Sequence, residues 1–357
     1  MNRGLGPIRA AVPGHCRERT LAMTIEELEF ACDASKPLDF TRHPLEVPEL
    51  SHVEMLYPLG FPTELRSNSS EIVSQARDLW GVFEKQFDTK AIRVDVHVVE
   101  GDSVECPPAP VVRIMLPLLI GIADPDNYSI TNLDGGTTQI VLSRAILKHR
   151  SYLNYFLLGS APLCHIATHY ATPVHAGCVA FKGRGMLLCG DSGAGKSTLS
   201  YACARAGWTY VSDDTSSLLN DGQDRLVTGN CHQVRFRPSA AELFPEIRGL
   251  EITPRAAGKP SIELPTAFFP EIIRAQTARV DFLVFLNRRA SGPPELVSFS
   301  KDLARRSMRQ VLYGSRESLA VQYAALERLL AAEIAELRYS DLDSSVQRLE
   351  KLAREGR

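Results

Sequence analysis

The sequence predicts an α/β protein in its C-terminal half, preceded by a smaller α+β module. The apolar run at residues 186–189 leads into a glycine-rich turn and then a helix-forming segment. Another apolar run, residues 176–181, ends only four residues earlier, so the two strands must form an antiparallel hairpin. Alternating apolar runs between His52 and Leu142 predict the strands of the smaller module.

The glycine-rich turn has the spacing G-x-x-x-x-G-K-S, from Gly190 to Gly195, Lys196 and Ser197. Glycines at these positions let backbone N–H groups curl around an anion, and the following helix begins with its positive dipole end there. The pattern is typical of a phosphate-binding loop. The alternative is a glycine-rich turn that only resembles one.

Within such a loop, Lys196 is expected to reach the β and γ phosphates of ATP and the Ser197 hydroxyl to ligate Mg²⁺. ATP and Mg²⁺ are therefore the expected nucleotide and metal cofactor. The candidate nucleotide-binding residues are Gly190, Asp191, Ser192, Gly193, Ala194, Gly195, Lys196, Ser197 and Thr198.

Two acids, Asp213 and Asp214, follow the next predicted strand, residues 208–212. The helix crossover should return this strand parallel to residues 186–189, which places both acids at the edge where the phosphates bind. Adjacent strand residues point to opposite faces, so both reach the site only if the strand breaks at the pair. One acid could then accept a proton and the other hold Mg²⁺. The alternative is two solvated acids at a strand end.

Composition limits the partners. Lys and Arg total 40 against 42 for Asp and Glu, which gives no electrostatic case for nucleic acid or a membrane surface as a general partner. The eight cysteines have no disulfide-like spacing, and no apolar run approaches the length of a membrane span. We expect a cytoplasmic protein whose partners are ATP and a phosphate acceptor, and we leave homo-oligomer formation open.

The sequence predicts four segments: a tail over 1–47, an α+β module over 48–143, a bridging helix over 144–174, and the loop-containing domain over 175–357. The tail is the segment for which we allow disorder. His165 and His169 lie four residues apart on the bridge, a spacing that suits metal ligands, but we favour structural histidines because no third ligand is evident. Residues 303–337 and 343–353 are expected to be closing amphipathic helices.

Residues 175–218 resemble the C-terminal catalytic domain of the HPr kinase/phosphorylase family, and the hairpin before the loop is also similar to the phosphoenolpyruvate carboxykinase nucleotide domain. The matching positions are His175, the loop from Gly190 to Ser197, Ala206-Gly207 and Asp213-Asp214. The resemblance implies a P-loop kinase domain of HPr kinase / phosphoenolpyruvate carboxykinase type. The N-terminal module does not resemble that family's usual regulatory domain.

The resemblance further implies an ATP-dependent kinase acting on a serine-type hydroxyl, of an HPr-like protein or of a small molecule. It makes Asp213 the general base, Asp214 its metal-side partner, and His175 a polar group near the reacting phosphate. Two alternatives stay open: an ATP-binding regulatory module without phosphotransfer, and a carboxykinase-like enzyme. Taken alone, His175 would more often be a strand-end histidine with a structural hydrogen bond.

Further basic residues are weaker candidates for holding phosphate or an acidic substrate. Arg235 and Arg237 alternate along a predicted strand, so both guanidiniums would share one face. Lys259 precedes another alternating run and is a similar candidate. Solvated strand faces are an equally good explanation for the two arginines.

Overall fold

The structure is a computed structural model that describes residues 24–34, 36, 49–101, 105–222, 224–252 and 260–356. The chain divides into the units Met1–Pro48 and Glu49–Arg357. In the first unit, helix α1 spans Ile25–Asp33 and begins with reciprocal hydrogen bonds between Thr24 and Glu27, a capping box. Apart from residues 24–34 and 36, the tail predicted over 1–47 lies outside the described residues, as does Lys259.

The second unit begins with a mixed sheet and one helix. Its elements are β1 (His52–Leu56), β2 (Thr63–Ser67), α2 (Ser70–Trp80), β3 (Ile92–Val99), β4 (Val111–Met115), β5 (Leu118–Asp124), β6 (Asn127–Asn132) and β7 (Thr137–Ser143). The strand order is β1-β2-β3-β7-β6-β5-β4, with β2–β3 and β3–β7 parallel. Helix α2 supplies the crossover that the parallel pair β2–β3 requires.

Most of this sheet follows the alternation of its sequence. Ile92, Val94 and Val96 of β3 are all buried. Asp134-Gly135-Gly136, between two alternating runs, predicts a hairpin turn, and this turn joins β6 to β7. The apolar runs predict strands at residues 53–57, 92–99, 111–116, 128–131 and 138–142, and β1, β3, β4, β6 and β7 match them within two residues. Strands β2 and β5 were not predicted. The sequence predicts a helix over about residues 70–87, but α2 ends at Trp80, with Gly81 as its C-cap residue.

The prediction of one bridging helix over 144–174 is wrong in two respects: the segment is a series of short helical pieces, and its last four residues form a strand. The segment consists of 3₁₀ turns (Arg144–Lys148), α3 (Arg150–Tyr152), π turns (Leu153–Leu158), α4 (Ser160–His165), π turns (Ile166–Tyr170) and strand β8 (Ala171–Val174). The helix stops at Ala171, whose backbone is extended, and β8 pairs antiparallel with a later strand. Pro173 cannot continue a helix, and Thr172 and Val174 favour a strand.

The remaining chain forms a larger mixed sheet with helices packed on it. Its elements are β9 (Ala176–Phe181), β10 (Arg184–Cys189), α5 (Lys196–Arg205), β11 (Thr209–Ser212), β12 (Ser216–Leu219), β13 (Leu226–Gly229), β14 (Gln233–Phe236), β15 (Ile262–Pro265), β16 (Thr277–Arg288), β17 (Glu295–Ser298), α6 (Lys301–Arg309), α7 (Arg316–Leu329), β18 (Glu333–Tyr339) and α8 (Leu342–Glu355). The order β11-β9-β10-β16-β13-β12-β8 is extended by β18 beside β16 and β17 beside β18, while β14 and β15 pair separately.

The predicted hairpin is confirmed: β9 and β10 pair antiparallel from Ala176 opposite Cys189 to Phe181 opposite Arg184. Lys182 and Gly183 both have positive φ, at 50° and 82°, as a two-residue hairpin turn requires. Strand β10 also pairs parallel with β16, and β11 pairs antiparallel with β9. Strands β10 and β11 therefore run in the same direction, as predicted.

The helix predicted over 303–337 is wrong in its last part, because Glu333–Tyr339 forms strand β18. Ala335, Leu337 and Tyr339 are buried, and the strand lies between β16 and β17. The pattern of alternate buried residues fits a strand, and pairing on both sides satisfies its backbone. In the described ranges, no helix is both long and apolar enough to cross a bilayer.

Candidate active site

The glycine-rich loop joins the end of β10 to the start of α5. Gly190, Gly193 and Gly195 have φ values of 152°, 94° and 100°, a region that residues with a side chain rarely adopt. A Cβ on Gly190 would also lie 2.8 Å from the Cβ of Ala194. The loop therefore takes its shape from glycine at these positions, and it leaves the first N–H groups of α5 without helical partners.

Lys196 is buried at the first position of α5, with its ammonium folded back over the loop. Its Nζ donates to the carbonyl of Gly190 at 2.9 Å and lies 3.4 Å from that of Asp191. The same Nζ lies 3.6 Å from Oδ1 of Asp214. The lysine thus connects the loop to the acid pair.

Tyr339, at the end of β18, supports the loop from behind. Its hydroxyl donates to the carbonyl of Ala194 at 2.8 Å, and a Cβ on Gly195 would collide with that hydroxyl. Tyr339 is almost fully buried, so its position is fixed by the sheet. The sequence analysis did not identify this contact.

The strand carrying the acid pair breaks where the prediction required. Strand β11 ends at Ser212 and β12 begins at Ser216, with Asp213 and Asp214 between them. The Ser212 hydroxyl lies 2.7 Å from that of Ser216 and accepts from the backbone N–H of Cys178 at 3.1 Å. Because these hydroxyls are buried and paired, the break is held in one geometry.

Asp213 and Asp214 occupy opposite electrostatic environments. Burial raises the pKa of Asp213 to about 6, although the neighbouring charge and backbone N–H of Arg235, the latter at 3.1 Å from Oδ2, act to lower it. A hydrogen bond from His175 at 3.2 Å, reinforced by the charge of Lys196, lowers the pKa of Asp214 to about 2. Near neutral pH, Asp213 is the acid that can exchange a proton and Asp214 stays ionised.

The two arginines of the β14 region behave differently. Arg235 is tied to Glu263 on β15, with Nε 2.9 Å from Oε1, and Ser261 donates to the same oxygen at 2.8 Å. Arg237 lies beyond the strand end, is exposed, and donates to the Ser192 hydroxyl in the loop at 3.2 Å. The predicted shared strand face is therefore wrong for Arg237, but both side chains border the same cavity.

A cavity of about 410 Å³ connects these groups, a size within the range of ligand sites. Its wall includes His175, Lys196, Ser197, Asp213 and Asp214. Other wall residues come from the loop, from β14 and its following turn, and from the ends of β15 and β16: Ser192, Gly193, Gly195, Thr198, Arg235, Phe236, Arg237, Ser239, Ala240, Glu242, Leu243, Ser261 and Arg288. We call this space the acid cavity.

The structure brings the predicted residues together with few exceptions. Gly190, Asp191 and Ala194 are in the loop but do not border the acid cavity. His165 and His169 are structural: their Nε2 atoms lie 2.9 Å from the Thr138 hydroxyl and 2.6 Å from the Leu133 carbonyl oxygen. Among the described residues, no group of three or more His, Cys, Asp or Glu side chains could hold a metal by itself.

Arg288 is a site residue that the sequence analysis missed. It is the last residue of β16, and its side chain is exposed at the border of the acid cavity. The apolar run at residues 280–286 predicts a central strand, and Arg288 lies two residues after that run. A basic residue at the carboxyl end of such a strand is the signal that could have identified it.

Comparison with known proteins adds little to this geometry. No protein-family model and no curated protein matches the chain. Among solved structures, the chain is similar to the Hpr(Ser) kinase/phosphatase from Coxiella burnetii, with 17% identity over 52% of this chain and 99% of that chain and a TM-score of 0.28. A likeness this weak shows nothing about the activity of this chain.

Proposed function

We propose that this protein is an ATP-dependent phosphotransferase that transfers the γ-phosphoryl group to a serine-type hydroxyl of a protein or small-molecule acceptor. The observation that carries the proposal is that the lysine of the phosphate loop lies beside two adjacent acids with different pKa values. Lys196 Nζ lies 3.6 Å from Oδ1 of Asp214, and the pKa of the neighbouring Asp213 is about 6. The cofactors are ATP and Mg²⁺, and the nucleotide-binding residues are those of 190–198.

In this proposal Asp213 is the general base. The acceptor oxygen forms a bond to the γ-phosphorus while the bond from that phosphorus to the β–γ bridging oxygen breaks, and Asp213 takes the hydroxyl proton. A base with a pKa near the working pH is largely ionised there yet still accepts a proton, which favours Asp213 over Asp214 for this role. The two carboxylates thereby take different roles because their environments separate their pKa values.

The oxygen donors present fit Mg²⁺. This ion is usually held by one or two carboxylates together with substrate phosphates, and the Ser197 hydroxyl and the ionised Asp214 supply such a set. The ion, when bound, would offset the negative charge that develops on the phosphates. Lys196 adds a fixed positive charge on the same side.

His175 is proposed as a positioning residue for Asp214. Its Nε2 hydrogen-bonds to Oδ1 of the carboxylate, which orients Asp214 and keeps it ionised. Both side chains are partly exposed, so this bond borders the acid cavity and is not part of the core.

Incubation of purified protein with γ-labelled ATP tests the proposal, using free hydroxy amino acids, sugars and HPr-like proteins as acceptors. We expect label on one acceptor class, and we expect Asp213→Asn to abolish transfer while ATP binding persists, because the amide cannot take the proton. An Asp213→Asn variant that transfers phosphate at the wild-type rate would contradict the base assignment. A wild-type protein that binds ATP but labels no acceptor would instead favour the regulatory alternative.

A further inference from the structure

A second cavity, of about 490 Å³, lies beside the acid cavity. The two cavities share Gly195, Thr198, Leu243 and Arg288 as wall residues. They therefore meet at the end of the phosphate loop where α5 begins. We call this second space the helix cavity.

The helix cavity follows one face of α5. Thr198, Ala202, Arg205 and Ala206 line it, at the three- and four-residue spacings that share a helix face. Seven residues separate Thr198 from Arg205, which corresponds to roughly 10 Å along the helix. The cavity is thus an elongated space that begins at the phosphate loop and leads away from the acids.

The opposite wall combines apolar and polar groups from the chain around the start of α8. Leu342 and the nearly buried Tyr339 supply apolar surface, and the carboxylate of Asp343 is exposed. Asp341 is already engaged, because it accepts from the N–H and hydroxyl of Ser344. In the part of the chain that the structure describes, neither Asp343 nor Arg288 has a side-chain hydrogen bond or ion pair.

The acid cavity and the helix cavity differ in the chemistry they can serve. Asp213, Asp214, His175 and Lys196 border only the acid cavity. A phosphoryl group in transfer must lie among these groups, so the opposite end of the nucleotide has to leave the loop in another direction. The helix cavity is the space that opens from the loop in that direction.

We propose that the helix cavity binds the nucleoside part of the nucleotide, its base and ribose, with Arg288 beside the phosphates where the two cavities meet. The small side chains of Ala202 and Ala206 leave the space for the base along α5, and Leu243 and Leu342 border it with apolar surface. The Asp343 carboxylate supplies an acceptor for ribose hydroxyls. This inference rests on the proposed function, because it assigns the second half of the same nucleotide.

The test compares binding of Mg²⁺-ATP with binding of Mg²⁺-tripolyphosphate by calorimetry. Tripolyphosphate has the phosphates of ATP without the nucleoside. Ala206→Trp places an indole on the helix-cavity wall from an exposed position just after α5, so it should fold. Ala331→Trp is the matched control, since Ala331 is also an exposed alanine just after a helix, α7, and lies outside both cavities.

We expect wild-type protein to bind both ligands, Ala206→Trp to lose at least tenfold in ATP affinity but less than twofold in tripolyphosphate affinity, and Ala331→Trp to match wild type. Equal ATP affinity in Ala206→Trp and wild type would overturn the inference, as would parallel loss of both ligands in Ala206→Trp alone. A wild-type protein that binds neither ligand would overturn the proposed function itself. Wild-type binding of tripolyphosphate at the same affinity as ATP would overturn only the nucleoside assignment.

Asp343→Asn provides a second variant that does not fill space. We expect it to weaken ATP binding with little effect on tripolyphosphate, because the amide is a poorer acceptor for ribose hydroxyls. The affinity of the Asp343→Asn variant for 2′,3′-dideoxy-ATP should equal that of wild type. A loss of the same size for ATP and for the dideoxy nucleotide would contradict the role given to Asp343.

Discussion

At the scale of single residues, the feature that matters most is that two adjacent carboxylates have opposite pKa shifts. Asp213 is half-buried and hydrogen-bonded to the Arg235 N–H, whereas Asp214 is paired with His175 and faces Lys196. The two acids are adjacent in sequence, but their pKa values shift in opposite directions because the strand break turns their side chains toward different partners. Their separate chemical roles in the proposal follow from this difference.

Replacing Asp213 by Asn should stabilise the protein near neutral pH. The folded-state pKa of about 6 lies above the ordinary value of 3.8, so folding favours the protonated acid and stability falls as pH rises through this window. Allowing for partial solvent access, the variant should gain about 1 to 2 kcal/mol in free energy of unfolding at pH 8. Denaturant titrations at pH 4 and pH 8 measure this gain, which should be much smaller at pH 4.

Asp214→Asn is the matched control, for which we expect a change in stability of the opposite sign. The pKa of Asp214 lies below its ordinary value, so its ionised form stabilises the fold above pH 4, and that contribution is lost as pH falls through about 2. The variant should therefore be less stable than wild type at pH 8. Stabilisation of both variants at pH 8 would contradict the assigned environments.

The proposed base also predicts the pH dependence of catalysis. Phosphotransfer requires ionised Asp213, so kcat/KM should fall as pH drops through about 6 and level off above pH 7. Initial rates between pH 5 and 8 with the identified acceptor measure this profile. A rate independent of pH over this range would contradict Asp213 as the base.

At the residue scale, sequence reasoning placed the groups whose positions follow from local pattern. Motif spacing located the loop lysine and the adjacent serine, and the expected direction of the strand before the acid pair located the two acids. Tyr339 and Arg288 could not be found in this way. Tyr339 meets the loop from 145 residues away in sequence, because β18 joins the sheet next to β16.

At the scale of elements, the site depends on the close approach of β9 to α5 and to the strand break. A Cβ on Gly177 of β9 would collide with the Ser200 hydroxyl of α5 and lie 2.9 Å from the backbone oxygen of Asp213. Gly177 thus lets β9 lie against both the helix that follows the loop and the segment that carries the acids.

Gly177→Ala should displace the acid pair and so lower phosphotransfer by at least tenfold, with a stability loss of about 1 to 3 kcal/mol from overpacking. Rates and thermal melts measure the two effects. Ser200→Ala is the control, since the buried Ser200 hydroxyl has no hydrogen-bond partner among the residues that the structure describes, and its loss should cost little. If the Gly177→Ala variant transferred phosphate at the wild-type rate, the close approach of β9 to α5 and to the strand break would not be what positions the acids.

Predictions of helices and strands from the sequence were correct where the local sequence pattern decides the structure, and wrong where tertiary pairing decides it. The hairpin β9–β10 was predictable because four residues cannot form a crossover. Strand β18 was predicted as helix because Glu333 to Tyr339 contains good helix formers, and only its place between β16 and β17 makes it extended. Tertiary pairing decided this element, and the local signal for a strand was the alternation of Ala335, Leu337 and Tyr339.

At the scale of the whole unit 49–357, hydrogen bonds join the N-terminal sheet region and the bridging segment to the loop-containing half, and they range from buried to exposed. Gln322 of α7 is buried and donates to the carbonyl of Ala167 at 3.0 Å, and the Thr228 hydroxyl of β13 donates to Leu59 at 3.0 Å. Glu84 and Gln276 exchange two further bonds. The division at 143, 174 and 175 stays a prediction from sequence.

We expect the unfolding of the two halves of this unit to be coupled because these bonds cross between them. Gln322→Leu should lower the stability of both halves together, by about 1 to 3 kcal/mol, since it leaves the Ala167 carbonyl buried without its donor. Intrinsic fluorescence can follow the unfolding of both halves, because Trp80 lies in the first half and Trp208 in the second. Separate transitions for single-tryptophan variants would contradict this coupling.

The most direct test of the central claim is ATP binding to wild-type protein and to Lys196→Ala in the presence of Mg²⁺, measured by calorimetry with folding of the variant checked by circular dichroism. The lysine lies between the loop carbonyls and Asp214, so the account predicts saturable binding by wild type and at least a tenfold weaker affinity in the folded variant. Equal affinity in the two proteins, or no binding by wild type, would contradict the account.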